Sequence, residues 1–212
     1  MSAVPLDRIT IEPSLPATAC VIWLHGLGDS GAGFSPIVPE LRLPTSHTVR
    51  FIFPHAPEQP VTLNQGYVMR ADMAGVLESE AKVKALIKEQ NDKGIATSNI
   101  VLAGFSQGGV VSMFTGLRYP EKLAGIMALS CYLPNADGLP EQLSVANSDT
   151  NILQLHGDND DVVPLSAGKM ANKLLNEKNY PVTWKTYPMA HSVHPTEIRD
   201  IASWLVARLN IT

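Results

Sequence analysis

This sequence is short of cysteine, of unbalanced charge and of long apolar runs, and each shortage closes off a class of function. Cysteine occurs twice in 212 residues, at Cys20 and Cys131. Two thiols cannot make a zinc site by themselves, and nothing in their spacing calls for a disulfide. Each borders an apolar run, the place of a small buried residue. Lysine and arginine number 16 against 20 aspartates and glutamates, a net charge of −4. That leaves no basic excess to neutralise phosphates, so nucleic acid is not an expected partner. No apolar run approaches the ~20 residues of a membrane-spanning helix, so stable membrane insertion is not expected either. Residues 1–10, MSAVPLDRIT, lack the basic-then-apolar order of a secretory leader, and the expected location is the cytoplasm. Repeats, low-complexity tracts and linker-like shifts in composition are also missing, so residues 1–212 are expected to fold as a single domain.

What remains is alternation. Short apolar, β-rich runs stand at 20–25 (CVIWLH), 49–54 (VRFIFP), 99–105 (NIVLAGF), 125–130 (GIMALS), 151–157 (NILQLHG) and 182–188 (VTWKTYP). A further strand is expected near residues 6–12. Several runs are continuously apolar, as in strands buried on both faces. Between them, helical patterns cover 76–93, 107–119, 166–178 and 196–209. In the first, Val76, Leu77, Val83, Leu86 and Ile87 lie on roughly one stripe, and Gly94 follows where a C-terminal glycine belongs. The alternation predicts an α/β fold, a mostly parallel central sheet with helices on both faces. Right-handed crossovers then bring the C-terminal ends of the strands to one edge, where ligands gather.

Two glycine-rich turns fall on that edge. The first, WLHGLGDSG at 23–31, spells G-x-G-x-x-G after a strand, in the manner of a dinucleotide-binding loop. Such a loop needs an acid at the end of the next strand to hold the ribose. That strand ends in Pro54, His55, Ala56 and Pro57, and Glu58 lies beyond both prolines. With half of the fingerprint missing, a nicotinamide-dependent dehydrogenase is set aside. The second turn, LAGFSQGG at 102–109, carries Gly104-Phe105-Ser106-Gln107-Gly108 between a strand and a helix. G-x-S-x-G in that setting is a nucleophile elbow, a turn so sharp that the serine is strained and its neighbours must be glycine. Ser106 is then held beside a helix N-terminus that favours developing negative charge.

A serine nucleophile needs a base and a group to orient the base. In this arrangement they follow in the order Ser, Asp/Glu, His, on loops after later strands. The loop DNDDVVP offers Asp158, Asp160 and Asp161, and the loop MAHSVHP offers His191 and His194. LHGDNDDVVP resembles the hydrolase pattern H-G-x-x-D-x-x-V, which selects Asp160 and leaves Asp158 and Asp161 as turn or rim residues. His191, first after its strand, is the expected base. His194, before Pro195 at a helix start, reads as a surface or capping residue. Neither the acids nor the histidine pair has a further ligand nearby, so no metal is expected. The opening glycine loop now has a role. Acyl transfer creates an oxyanion; one donor is the N–H of Gln107, and the second comes from His25-Gly26-Leu27-Gly28, where it is assigned to the N–H of Leu27.

In order along nearly the whole chain, WLHGLGDSG, FIFPHAP, PVTLNQGYVM, LAGFSQGG, LHGDNDDVVP and YPMAHSV resemble the bacterial carboxylesterase and acyl-protein thioesterase family of α/β-hydrolases. The resemblance implies a triad of Ser106, Asp160 and His191 with Leu27 and Gln107 as oxyanion donors. It implies hydrolysis of small-molecule esters or acylated-protein thioesters without a cofactor, and relatives can pair as homodimers. Leu63, Met69 and Met73 are the substrate-binding candidates, with Leu27 and Phe34 beside them and Asn64 and Gln65 as polar neighbours. One departure concerns the acyl site. Relatives carry a Trp-Tyr/Phe-Asp element after the segment matching GYVM, then a further stretch. Here Met69 runs through Arg70, Ala71, Asp72 and Met73 almost directly into the long helix. Either the pocket is shorter and more open, or a loop is missing from the sequence. The alternatives to an esterase or thioesterase are a lysophospholipase using the same triad and a catalytically silent binding module, which would usually have lost a triad member.

Overall fold

The computed structural model describes residues 6–56, 73–134 and 138–211. Its strands are β1 (Arg8–Ile11), β2 (Ala19–Leu24), β3 (Val49–Pro54), β4 (Ile100–Phe105), β5 (Gly125–Leu129), β6 (Ile152–Gly157) and β7 (Val182–Tyr187). They form a seven-stranded sheet in the order β1-β3-β2-β4-β5-β6-β7. β1 runs antiparallel to β3, and the other pairs are parallel. The helices are α1 (Gly31–Phe34), α2 (Ile37–Glu40), α3 (Met73–Asp92), α4 (Gln107–Arg118), α5 (Leu165–Glu177) and α6 (Pro195–Leu209). All seven expected strands and the four long helices are present. α1 and α2 were not foreseen, because four residues are too few to show a period. No helix among the described residues is long and apolar enough to cross a membrane.

The apolar runs fold as they do because strand side chains alternate faces. Along β2, Cys20 and Ile22 enter one core with residues of α3, α4 and α5, while Val21 and Trp23 enter the other with residues of α2 and α6. Helices thus cover both faces, as the continuous runs predict. α3 buries Val76, Glu80, Val83, Leu86, Ile87 and Gln90, one helical stripe. The buried Glu80 carboxylate pairs with Arg118 of α4 at 3.2 Å and with Lys84 at 3.0 Å. α4 is different, with every residue from Gly108 to Leu117 buried. Inside it, Ser112 donates to the Ala103 carbonyl at 2.7 Å, while the buried Thr115 hydroxyl has no partner.

The strand order reverses between β2 and β4, since the chain first adds β3 on one side and then β4 on the other. In open α/β sheets ligands bind beyond the strand C-termini at such a switch point. The loop after β2 and the turn after β4 meet there. The start of α4 lies so close to the end of β2 that a Cβ on Gly108 would run into the carbonyl oxygens of Leu24 and His25. Both obstacles are backbone and cannot rotate away. Gly108→Ala is therefore expected to lower the unfolding free energy by about 3 kcal/mol or more in urea titration, at the upper end of overpacking costs. A loss below about 1 kcal/mol would mean that the helix–strand spacing is not set by this contact.

Candidate active site

β4 delivers the chain to Ser106, where the backbone takes φ 54 and ψ −121. A side-chain-bearing residue there costs about 1–3 kcal/mol. The turn is held from both sides: Ser106 N donates to Leu129 O at 2.8 Å, and Val110 N donates to Ser106 O at 3.1 Å. Ser106 is the residue preceding α4, yet its hydroxyl makes no capping bond. The Oγ is left uncommitted at the positive end of a buried helix, 9% of the residue reaching solvent. The N–H of Gln107 stands at the same helix end.

Asp160 and His191 follow neighbouring strands, β6 and β7. β6 and β7 pair in register through Gly157 and Tyr187. Beyond them Asp158 N donates to Tyr187 O at 2.8 Å and Asn159 N to Met189 O at 3.0 Å. The two loops are thereby tied side by side, which brings Asp160 to His191. Their contact is 2.8 Å, from His191 Nδ1 to Asp160 Oδ2. The other carboxylate oxygen accepts from Val162 N at 3.0 Å and Val163 N at 2.8 Å. These two N–H groups turn Oδ2 to the imidazole. A carboxylate accepts, so Nδ1 carries the hydrogen and Nε2 keeps its lone pair. Asp160 is buried, whereas Asp158 and Asp161 are exposed, as rim residues should be.

Two side chains that motif reading passed over complete this cluster. The Phe105 ring lies 4.7 Å from the His191 ring between centroids, tilted by 42°. It also contacts Phe34, which in turn packs on Trp23, so an aromatic row runs from the core to the imidazole. His156 is fully buried, with Nε2 2.9 Å from Val163 O and 3.6 Å from Asp160 Oδ2. It is the histidine of the H-G-x-x-D pattern, so the signal was in the sequence. Phe105 occupies a position that G-x-S-x-G leaves unspecified, and no signal marked it.

His194 caps α6, as expected: its Nδ1 accepts from Thr196 N at 3.1 Å, and Glu197 Oε2 accepts from His194 N at 3.1 Å. This reciprocal box anchors the far end of the loop that carries His191. Glu197 is fully buried and its Oε1 has no hydrogen-bond partner. Burial, reinforced by Asp200 and opposed by the His194 N–H, pushes its carboxyl up to about 7. The cysteines are both free and buried. Burial drives the Cys20 thiol up to about 12 and the Cys131 thiol higher still, so both stay protonated and unreactive near neutral pH.

In the loop after β2, Gly26 lies against Phe105 and Ser106, and Leu27 is 56% exposed. Met73 opens α3 and is half-buried, packed against the core that α3 and α4 share. Leu63 and Met69, with Asn64 and Gln65, fall in residues 57–72, outside the described residues.

Comparison with known proteins shows the family and the fold. The sequence model of the phospholipase/carboxylesterase family matches residues 7–209. The chain is 39% identical over 219 aligned positions to acyl-protein thioesterase 1 of Yarrowia lipolytica, covering 95% of this chain and 96% of the relative. It is 39% identical to acyl-protein thioesterase 1 of Mycosarcoma maydis, over 94% of this chain and 96% of that one. The crystal structure of Arabidopsis thaliana SOBER1 matches with a TM-score of 0.83 at 31% identity, over 90% of this chain and 99% of that one. The first alignment, of 219 positions, exceeds the 212 residues of the chain, so that relative carries residues with no counterpart here.

Two outcomes are expected from this geometry. Ser106→Gly should be more stable than Ser106→Ala by about 1 kcal/mol in denaturant titration, because only glycine takes φ 54 without a Cβ penalty. Equal stability would mean that the turn is unstrained. For Glu197, the native carboxyl titrates near 7 against ~4.3 in an unfolded chain. The native state therefore holds a proton that the unfolded chain has already lost, and stability falls as pH rises through that window. Glu197→Gln cannot ionise and should flatten the decline, gaining on the order of 2 kcal/mol over the wild type at pH 8 relative to pH 4. A decline that persists in the variant would assign it to another group.

Proposed function

The chain belongs to the phospholipase/carboxylesterase family, and from that premise we propose that it is a serine hydrolase of esters and fatty-acyl thioesters working through Ser106, Asp160 and His191. The observation that carries the reading is the 2.8 Å bond from His191 to a buried Asp160, on loops beside an elbow serine whose hydroxyl is uncommitted. His191 Nε2 takes the proton of Ser106 as Oγ attacks the carbonyl carbon. Asp160 holds the imidazole in the tautomer that can do so and stabilises the imidazolium that results. The oxyanion lies between the N–H groups of Leu27 and Gln107 at the α4 N-terminus. As the tetrahedral intermediate collapses, the alcohol or thiol departs with the proton from Nε2, leaving an acyl-serine. Water then gives a proton to His191 and attacks the acyl carbon; the intermediate collapses to the acid as His191 returns that proton to the departing Ser106 Oγ.

Fatty-acyl thioesters are favoured among the substrates because relatives 39% identical over nearly their whole length are acyl-protein thioesterases. Acyl groups then lie on apolar surface beside the elbow, with Leu63, Met69 and Met73 as the binding residues.

The test pairs rates with labelling. Initial rates across matched esters and thioesters from C2 to C16 should peak at C8 or longer and hold for thioesters. A fluorophosphonate should label Ser106 in the wild type. Ser106→Ala should abolish both turnover and labelling, and Asp160→Asn should lower kcat by about 10⁴-fold. Turnover by Ser106→Ala near the wild-type rate would overturn the assignment. A maximum at C2–C4 would replace the thioesterase reading with that of a short-chain carboxylesterase.

A further inference from the structure

His25 follows β2 directly, and its half-buried ring makes two hydrogen bonds that the acyl-transfer mechanism does not use. Nε2 is 3.1 Å from the backbone nitrogen of Ala56, beyond β3. Nδ1 is 2.8 Å from the carbonyl oxygen of Gly26, the next residue. An amide N–H can only donate, so Nε2 must be bare. A carbonyl can only accept, so Nδ1 must carry the hydrogen. One neutral tautomer satisfies both partners at once.

The Gly26 carbonyl belongs to the same peptide unit as the Leu27 N–H. In a planar trans peptide the two point in opposite directions. Holding the carbonyl toward the His25 ring turns the Leu27 N–H away from that ring. This peptide needs such a hold, because Leu27 stands between two glycines, and Gly28 already has φ +78. A peptide unit flanked by glycine swings at little steric cost. Asp29 N also donates to Gly26 O, at 3.3 Å, so the carbonyl is gripped from two sides. The loop lies against the elbow: a Cβ on Gly26 would be 3.2 Å from Phe105 Cδ1 and 3.3 Å from Ser106 Cβ.

Resting on the acyl-transfer reading, we propose that His25 is a positioning residue for the oxyanion hole, its ring fixing the Gly26–Leu27 peptide so that the Leu27 N–H stays aimed at the charge that develops beside Ser106. The ring is a brace between the loops after β2 and β3. Its effect falls on the transition state, since the ground-state carbonyl draws less on the donor.

Asparagine and glutamine test the brace, because the asparagine amide nitrogen stands where Nδ1 does and the glutamine amide nitrogen stands where Nε2 does. With a p-nitrophenyl ester, His25→Gln and His25→Ala should lower kcat about 10- to 100-fold while KM changes less than about threefold. Both should weaken a trifluoromethyl ketone, whose hemiketal oxygen takes the oxyanion position, by a similar factor. His25→Asn should stay within about threefold of the wild type in both readouts. A kcat for His25→Gln near that of the wild type, or an equal fall for the Asn and Gln variants, would overturn the proposal. Should His25→Ala fail to fold in a thermal melt, the Asn–Gln pair decides alone. Wild-type turnover with fluorophosphonate labelling at Ser106 secures the underlying reading first. Unaffected His25 variants of such an enzyme then refute the brace alone, whereas an unlabelled, inactive wild type refutes the hydrolase reading itself.

Discussion

A strand can pass into a helix packed on its own sheet only by reversing direction, and at Ser106 the chain does so within one residue, at φ 54 and ψ −121. Ser106 N bonded to Leu129 O and Val110 N bonded to Ser106 O hold that conformation. It survives because the surroundings over-determine it: β4 is locked between β2 and β5, and α4 is buried along almost its whole length. Burial of α4 offsets the strain many times over, since a single fully buried apolar side chain contributes about 1.5–3 kcal/mol. The strained turn in turn decides what the serine can do. A residue before a helix would ordinarily spend its hydroxyl on capping. Held at this angle, Ser106 does not.

The rest of the site has to be brought to that fixed point by loops, which lack a ladder of their own. Short cross-loop bonds do the work of one. Asp158 N to Tyr187 O and Asn159 N to Met189 O carry the parallel pairing of β6 and β7 a little past the sheet. Asp160 and His191 then meet without any further movement of the backbone. The His194–Glu197 box closes the other end of the histidine loop at the start of α6. The cost of that box is a buried carboxyl with one oxygen unpartnered.

Histidines recur at these joints for a physical reason. A neutral imidazole is at once a donor and an acceptor, and its partners decide which nitrogen is which. Next to Asp160 the carboxylate claims the hydrogen of His191 at Nδ1. Between Ala56 and Gly26 an amide and a carbonyl make the same choice for His25. His156, fully buried, holds the Val163 carbonyl and so the acid loop. Three rings, each read only by the groups around it, tie the loops after β2, β6 and β7 to their neighbours.

Much of this could be read from letters. Apolar runs broken by helical periods gave the strand and helix order, because burial on both faces leaves an unbroken hydrophobic signature. G-x-S-x-G and H-G-x-x-D gave the elbow and the acid, because close backbone approach and a tight loop demand particular residues at fixed spacing. These features are local, and the sequence by itself determined them. It did not reveal α1 or α2, whose four residues each carry no period. Nor did it reveal that Phe105 would lie under His191, since those residues are far apart in the chain and no spacing rule links them. The strand order, the side of the sheet that each loop reaches, and the partners that fix each histidine tautomer were decided only by the tertiary structure. They depend on contacts between distant segments, which arise when buried surfaces pack and which short-range pattern does not encode.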